Sequence, residues 1–231
     1  MTPDSHDTKD ILLDAALTHV AFDGWTDATF RAAIADTKID PVLAQSACPR
    51  GGVDLALAFH ARGDQQMVAR MNATDMSEMK IREKVASAVR WRIEAISDKE
   101  AVRRGMALFA LPQYAADGAR AIWDTCDLIW NTLGDYSGDF NWYTKRATLS
   151  GVYSSTLLFW LGDDSPEHQA TWDFLDRRIE NIMQFEKFKA QVNNNPLLKP
   201  LMAGPNWLLG QIKPPKHPDD LNLPGMMTPP R

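Results

Sequence analysis

Proline placement constrains this chain more than any other feature of its sequence. Between Gly51 and Asn195 there are two prolines, Pro112 and Pro166, whereas nine fall between Pro196 and Arg231. A proline inside a helix removes a backbone donor and clashes with the preceding turn. The stretch 51–195 is therefore free to form long helices, and the end of the chain is not. No strand alternation, no Asn-Gly or Asp-Gly hairpin between apolar runs and no internal repeat competes with that reading. The fold class is expected to be all-α.

Apolar residues three and four apart, bounded by start and stop signals, divide the chain into roughly nine helices. Ile11, Leu12, Ala15, Ala16, His19 and Val20 share one side of the first. Thr26 is placed to cap a second that runs to about Asp36, and Asp40 before Pro41 opens a short third that Pro49 stops. Val53, Leu57, Ala61 and Val68 mark a fourth, reaching about Met71, and Ile81, Val85, Ala88, Arg92 and Ile96 a fifth. Ser97-x-x-Glu100 has capping-box spacing and starts a sixth, which ends before Pro112. Ala119, Ile122, Cys126, Ile129 and Leu133 carry the seventh to Gly134, a natural stop. The eighth covers 139–161 and is closed by Gly162. Ser165-Pro166-Glu167 opens the last, with Trp172, Leu175, Ile179 and Ile182 inward as far as about Ala190.

Organisation follows from these elements. Residues 1–50 form a region of short helices, 51–190 a helical body, 191–213 an interrupted segment, and 214–231 a proline-rich tail expected to be disordered. With 45% hydrophobic residues the body can hide a sizeable core. A net charge of −5 gives no generic attraction to nucleic acid or anionic lipid. Cys48 and Cys126 make no CxxC pair and suit a reducing compartment. The polar, acidic start is neither a secretory signal nor a mitochondrial presequence, and no run of about 18 apolar residues crosses a membrane. The expected location is the cytoplasm.

The first fifty residues contain a turn between two short helices, the arrangement of a helix-turn-helix. The segment GWTDATFRAAIADTKIDPVLAQSACPRGGVDLALAFH resembles the N-terminal region of TetR-family repressors. Operator binding is the function such a unit implies, but its charge is wrong. Four cations (Lys9, Arg31, Lys38, Arg50) face eight aspartates over residues 1–50. Duplex affinity grows with each phosphate neutralised, and base edges are read by Arg, Lys, Asn or Gln. The third helix offers only Gln45. This is a degenerate helix-turn-helix, and no nucleic-acid partner is expected.

Further on, DFNWYTKRA and WDFLDRRI are rich in rare residues. With FDGW, the PRG before the fourth helix, Lys80-Ile81-Arg82-Glu83 and LFALP, they resemble the ubiquinone-biosynthesis accessory family that keeps a TetR-like fold and binds isoprenoid lipids, over roughly residues 10–188. The resemblance implies a TetR-repressor-like helical bundle and a non-enzymatic role. It implies binding of isoprenoid quinone precursors and their presentation to a membrane-associated hydroxylase of the ubiquinone pathway. It also implies a homodimer and a docking patch of Ile129, Trp130, Asn141, Trp142, Tyr143 and Arg146. A ligand-responsive transcriptional regulator is the alternative the same fold allows.

The residues themselves are compatible. One stripe of the eighth helix runs Phe140, Tyr143, Ala147, Ser150, Ser154, Leu157 and Leu161, and another Trp142, Arg146, Leu149, Tyr153, Thr156 and Trp160. A helix apolar on two sides is central in a core, or borders a cavity or partner. Trp142, beside Asn141 and Lys145 at the polar start, has the composition of an interface anchor. Met106, Phe109, Trp123, Trp130, Leu157, Phe159 and Trp160 are the candidate lining of a lipid site, which should be long, apolar and poor in polar groups. In the tail, Trp207, Leu208 and Ile212 beside Lys213 suit weak peripheral contact with a membrane surface. His60, four residues before Asp64, reads as an ordinary satisfied histidine. Lys80, Arg82, Lys84, Arg90 and Arg92 read as a solvated basic face. No HExxH, GxSxG, Walker-type or GxGxxG motif occurs, so no catalytic residue, metal or cofactor is expected.

Overall fold

The computed structural model describes residues 5–135 and 141–194. These form nine α-helices: α1 (Ser5–Asp23), α2 (Asp27–Thr37), α3 (Pro41–Ala47), α4 (Gly52–Ala73), α5 (Ile81–Glu94), α6 (Lys99–Phe109), α7 (Ala115–Thr132), α8 (Asn141–Leu161) and α9 (Gln169–Asn194). The expected all-α architecture is present, with no strand among the described residues. Trp207, Leu208 and Ile212, with the rest of residues 195–231, and the first two residues of the expected eighth helix lie outside them, whereas α9 runs past the boundary drawn at 190 as far as Asn194.

Local chemistry explains most helix ends. Thr26 caps α2 by accepting from the Thr29 amide, and Asp40 caps α3 through the Val42 and Leu43 amides. Gly24 and Gly134 follow α1 and α7 with φ of 68° and 76°, the left-handed region glycine enters without penalty. Two expected starts are corrected. The cap of α6 is Asp98, whose Oδ1 takes the Glu100 and Ala101 amides, so the Ser97 capping box does not form. Pro166–His168 is a separate 3-10 turn with Glu167 at φ 51°, and α9 begins only at Gln169. Asp163 reaches across that break: its carboxylate accepts from the amides of Ser165 and Thr171 and from the Thr171 hydroxyl. Those bonds, the Thr171 hydroxyl's foremost, hold the carboxyl well below its ordinary pKa.

Two apolar cores result. The front core gathers Leu12, Leu13, Ala16, Val20, Trp25 and Phe30 with Leu55 and Ala56 of α4. The body core gathers Met67 and Met71 of α4 with residues of α5, α7, α8 and α9, among them Ile93, Ile129, Tyr153 and Leu175. Helix α4 therefore belongs to both. Its inward face differs in part from the expected stripe: Val53 is buried as expected, with Leu55, Ala56, Gly63, Asp64 and Met67, whereas Leu57, Ala61 and Val68 border a surface groove. Likewise Leu13 replaces Ile11, which is 45% exposed. In α8 the second of the two stripes wins: Arg146, Leu149, Tyr153, Thr156 and Trp160 are buried.

Candidate functional site

Helix α6 is amphipathic and buries fully only Ala101. It is held at its rims by polar ties. The Trp25 indole N–H donates to the Ala101 carbonyl at 2.9 Å, Arg104 donates to the Ala21 carbonyl, and the Lys99 ammonium donates to the carbonyls of Trp160 and Asp163. Beneath α6, and bounded by α4, α5, α7 and α8, lies a cavity of about 380 Å³. That falls within the range of small-molecule sites, about 300–1,000 Å³. Its apolar wall includes Val102, Met106, Phe109, Ile122 and Leu157. Gly118 lets α6 and α7 close one side, since a Cβ there would meet the Phe109 Cβ at 2.6 Å.

The inner end of the cavity is polar. His60, Arg92 and Tyr153 line it. Arg92 is 3% exposed and donates through Nε to Asp64 Oδ1 at 2.5 Å and through Nη2 to the His60 carbonyl at 2.9 Å. The Thr125 hydroxyl donates to the same Asp64 oxygen at 2.9 Å and lies 2.8 Å from His60 Nε2. Arg92 Cζ stands 5.8 Å from the centre of the Tyr153 ring. Burial pushes the His60 imidazole down to about 4 and the Tyr153 phenol up to about 12. At neutral pH the network thus holds an uncharged imidazole, an intact phenol O–H, and a guanidinium balanced by a carboxylate. Arg92 corrects the expected solvated face, since it alone of that basic cluster is buried.

Of the seven residues expected to line a lipid site, Met106, Phe109 and Leu157 come together at this cavity. The other four lie elsewhere. Trp123 packs against Trp142 and Tyr143, with ring centres 5.9 and 6.3 Å apart. Trp160 is in the body core with Lys99 over its ring. Phe159 is 39% exposed and stacks on Phe174 at 4.6 Å. Trp130 borders a second cavity of about 460 Å³ between α5, α7, α8 and α9. The expected lining lacked Trp25, Ile122 and the polar residues His60, Arg92 and Tyr153. A cation in the apolar stripe of α5 was the available signal.

The docking residues divide as well. Asn141 is exposed, while Trp142 and Tyr143 are half-buried with one face outward. Ile129 and Arg146 are fully buried, so neither presents a side chain to a partner. Arg146 donates to Asp127 at 2.5 Å, to Asn131 Oδ1 at 2.9 Å and to the Trp142 carbonyl at 3.2 Å, and its Cζ sits 3.9 Å over the Trp142 ring. It fixes the aromatic patch from inside by joining the end of α7 to the start of α8.

A family model described as COQ9 matches residues 115–186. The mitochondrial ubiquinone biosynthesis protein COQ9 of Drosophila melanogaster is 34% identical over 188 residues, covering 78% of this chain and 56% of its own length. The Rattus norvegicus protein of that name is 31% identical over 197 residues, covering 79% and 61%. The probable mitochondrial ubiquinone biosynthesis protein coq9 of Dictyostelium discoideum is 29% identical over 190 residues, covering 78% and 61%. The chain thus spans between 56% and 61% of the length of these relatives. In shape it resembles a TetR transcriptional regulator from Nitrosomonas europaea ATCC 19718, with a TM-score of 0.62 at 16% identity over 74% of this chain and 95% of that one. The TetR-like fold is as expected.

Proposed function

Since this chain belongs to the COQ9 family and keeps a TetR-like fold, we propose that it is a non-enzymatic accessory protein of ubiquinone biosynthesis, binding isoprenoid quinone precursors and presenting them to a hydroxylase of that pathway. The observation that carries the reading is the apolar cavity under α6. A half-exposed amphipathic helix roofs it, so a hydrophobic chain can enter without passing through either packed core. The test is mass spectrometry of lipid that co-purifies with the protein. Single-tailed isoprenoid lipid is the expected cargo, and filling the space with Val102→Trp or Leu157→Trp should reduce its occupancy several-fold. A protein that carries no such lipid, or whose load ignores these substitutions, would defeat the carrier role.

Presentation needs a partner surface, and the outward parts of Asn141, Trp142 and Tyr143 supply it. Trp142→Ala should leave a folded protein that binds the hydroxylase at least about tenfold more weakly, the loss typical of an aromatic interface anchor. No described helix is long and apolar enough to cross a membrane. Approach to the lipid surface is assigned to Trp207, Leu208 and Ile212, and vesicle flotation with and without those side chains checks it. Dimerisation is assigned to the outward face of α8 and α9, where Leu158 is 56% exposed beside the Phe159–Phe174 stack. A nucleic-acid role has nothing comparable behind it.

A further inference from the structure

The proposed carrier function leaves open which side chain meets the cargo's ring, and the polar residues that line the cavity bear on it. Tyr153 is 1% exposed yet lines the cavity, and its hydroxyl makes no hydrogen bond to another described residue. A hydroxyl that opens onto an apolar space gains a hydrogen bond when an occupant of that space supplies an acceptor. Most of the groups around it are already committed, Arg92 Nη1 beside Gly63 being the exception. Arg92 is engaged by Asp64 and the His60 carbonyl, while Asp64 is engaged by Arg92 and Thr125. Gly63 wedges the guanidinium in place, since a Cβ there would lie 2.5 Å from Arg92 Nη1. Tyr153 is thus an unspent donor on the wall of a largely apolar space.

Charge narrows the class of ligand. Arg92 carries a positive charge, but Asp64 cancels it at contact distance. An anionic head would lose its hydration without meeting a net positive field. An uncharged oxygen keeps the benefit of the hydrogen bond without that loss. Resting on the carrier reading above, we propose that Tyr153 receives a neutral ring oxygen, the carbonyl or ether oxygen of an oxygenated six-membered ring. The head then lies inward against Tyr153, and the tail runs outward past Met106 and Phe109. The phenol, pushed up to about 12, stays protonated and able to donate throughout the physiological range.

Three probes of one tail length separate the possibilities: geranyl-1,4-benzoquinone, geranylbenzene and geranate. Binding of each is measured by calorimetry on the full chain and on Tyr153→Phe, with thermal unfolding as the check on folding. The wild-type protein should bind the quinone tighter than the hydrocarbon, and geranate weakest. Tyr153→Phe should weaken the quinone about three- to tenfold, the worth of one hydrogen bond, and leave geranylbenzene unchanged. Its melting temperature should not fall, because the lost hydroxyl had no protein partner. If neither neutral probe binds the wild type, the carrier reading fails and this inference with it. If both bind but Tyr153→Phe changes neither or weakens them equally, the carrier survives and the head-group assignment is overturned. Tightest binding of geranate overturns it too.

Discussion

Asp64 and Arg92 are 7% and 3% exposed and touch at 2.5 Å inside the protein. Two buried charges stabilise little as a pair, but either one alone is expensive. Asp64→Ala should therefore lower unfolding free energy by about 3–5 kcal/mol in urea, and pairing it with Arg92→Met should recover much of the loss. Gly63 follows the same logic. Alanine normally improves a helix interior by about 1 kcal/mol over glycine. Here Gly63→Ala should destabilise instead, because the new methyl meets the guanidinium. His60 sets a pH dependence. Its folded pKa of about 4 lies below the unfolded value near 6.5. Its contribution is therefore intact above pH 6.5 and declines as pH falls toward 4, where only the unfolded chain takes up the proton. The loss is roughly 3 kcal/mol at most, and His60→Gln should flatten that part of a stability-against-pH curve. In the sequence, Arg92 showed as a charge out of place in an apolar stripe. Tyr153 and Trp25 looked like any core aromatics, because a side chain's share in a cavity wall is a property of packing and leaves no trace in residue order.

Helix ends were the most legible elements, since their causes are local. Thr26, Asp40 and Gly134 act where the sequence places them. The start of α6 slipped by one residue because Ser97 and Asp98 both carry a suitable oxygen, and the aspartate took both amides. Asp98→Ala should cost about 1 kcal/mol, read from urea unfolding. It should also raise amide exchange along α6, whose few buried contacts leave it dependent on its ends. The start of α9 could not be read locally, because the Asp163 cap spans a break and bonds to Thr171, eight residues on. Helix α3 exposes Val42, at 77%, with Gln45 and Ser46, and no cation stands on that face. Nearby Arg50 is paired with Asp54 and Asp117. A gel shift at low salt should accordingly show no tight duplex binding.

For the whole molecule, the all-helical class was decided by proline placement, and the arrangement of helices was legible only through resemblance to a family. Periodicity names which faces are apolar but not which of two faces meets the core: α8 offers two stripes and buries the second, while α4 buries Val53 of its expected stripe but turns Leu57, Ala61 and Val68 toward a groove. The partition at residue 50 likewise conceals that α4 serves both cores. The outward face of α8 and α9 belongs to this scale as well. Sedimentation should give a dimer, and Leu158→Arg should shift it to monomer at micromolar concentration without a comparable fall in melting temperature.

Trp25 stands in the front core, yet it forms part of the cavity wall and fastens the first turn of α6. A guest that fills the space presses on the side chain that fastens α6 to the front core. Backbone amides of α2 and α3 should then exchange more slowly when the cavity is loaded. The front end of this molecule would serve as a gauge of its cargo.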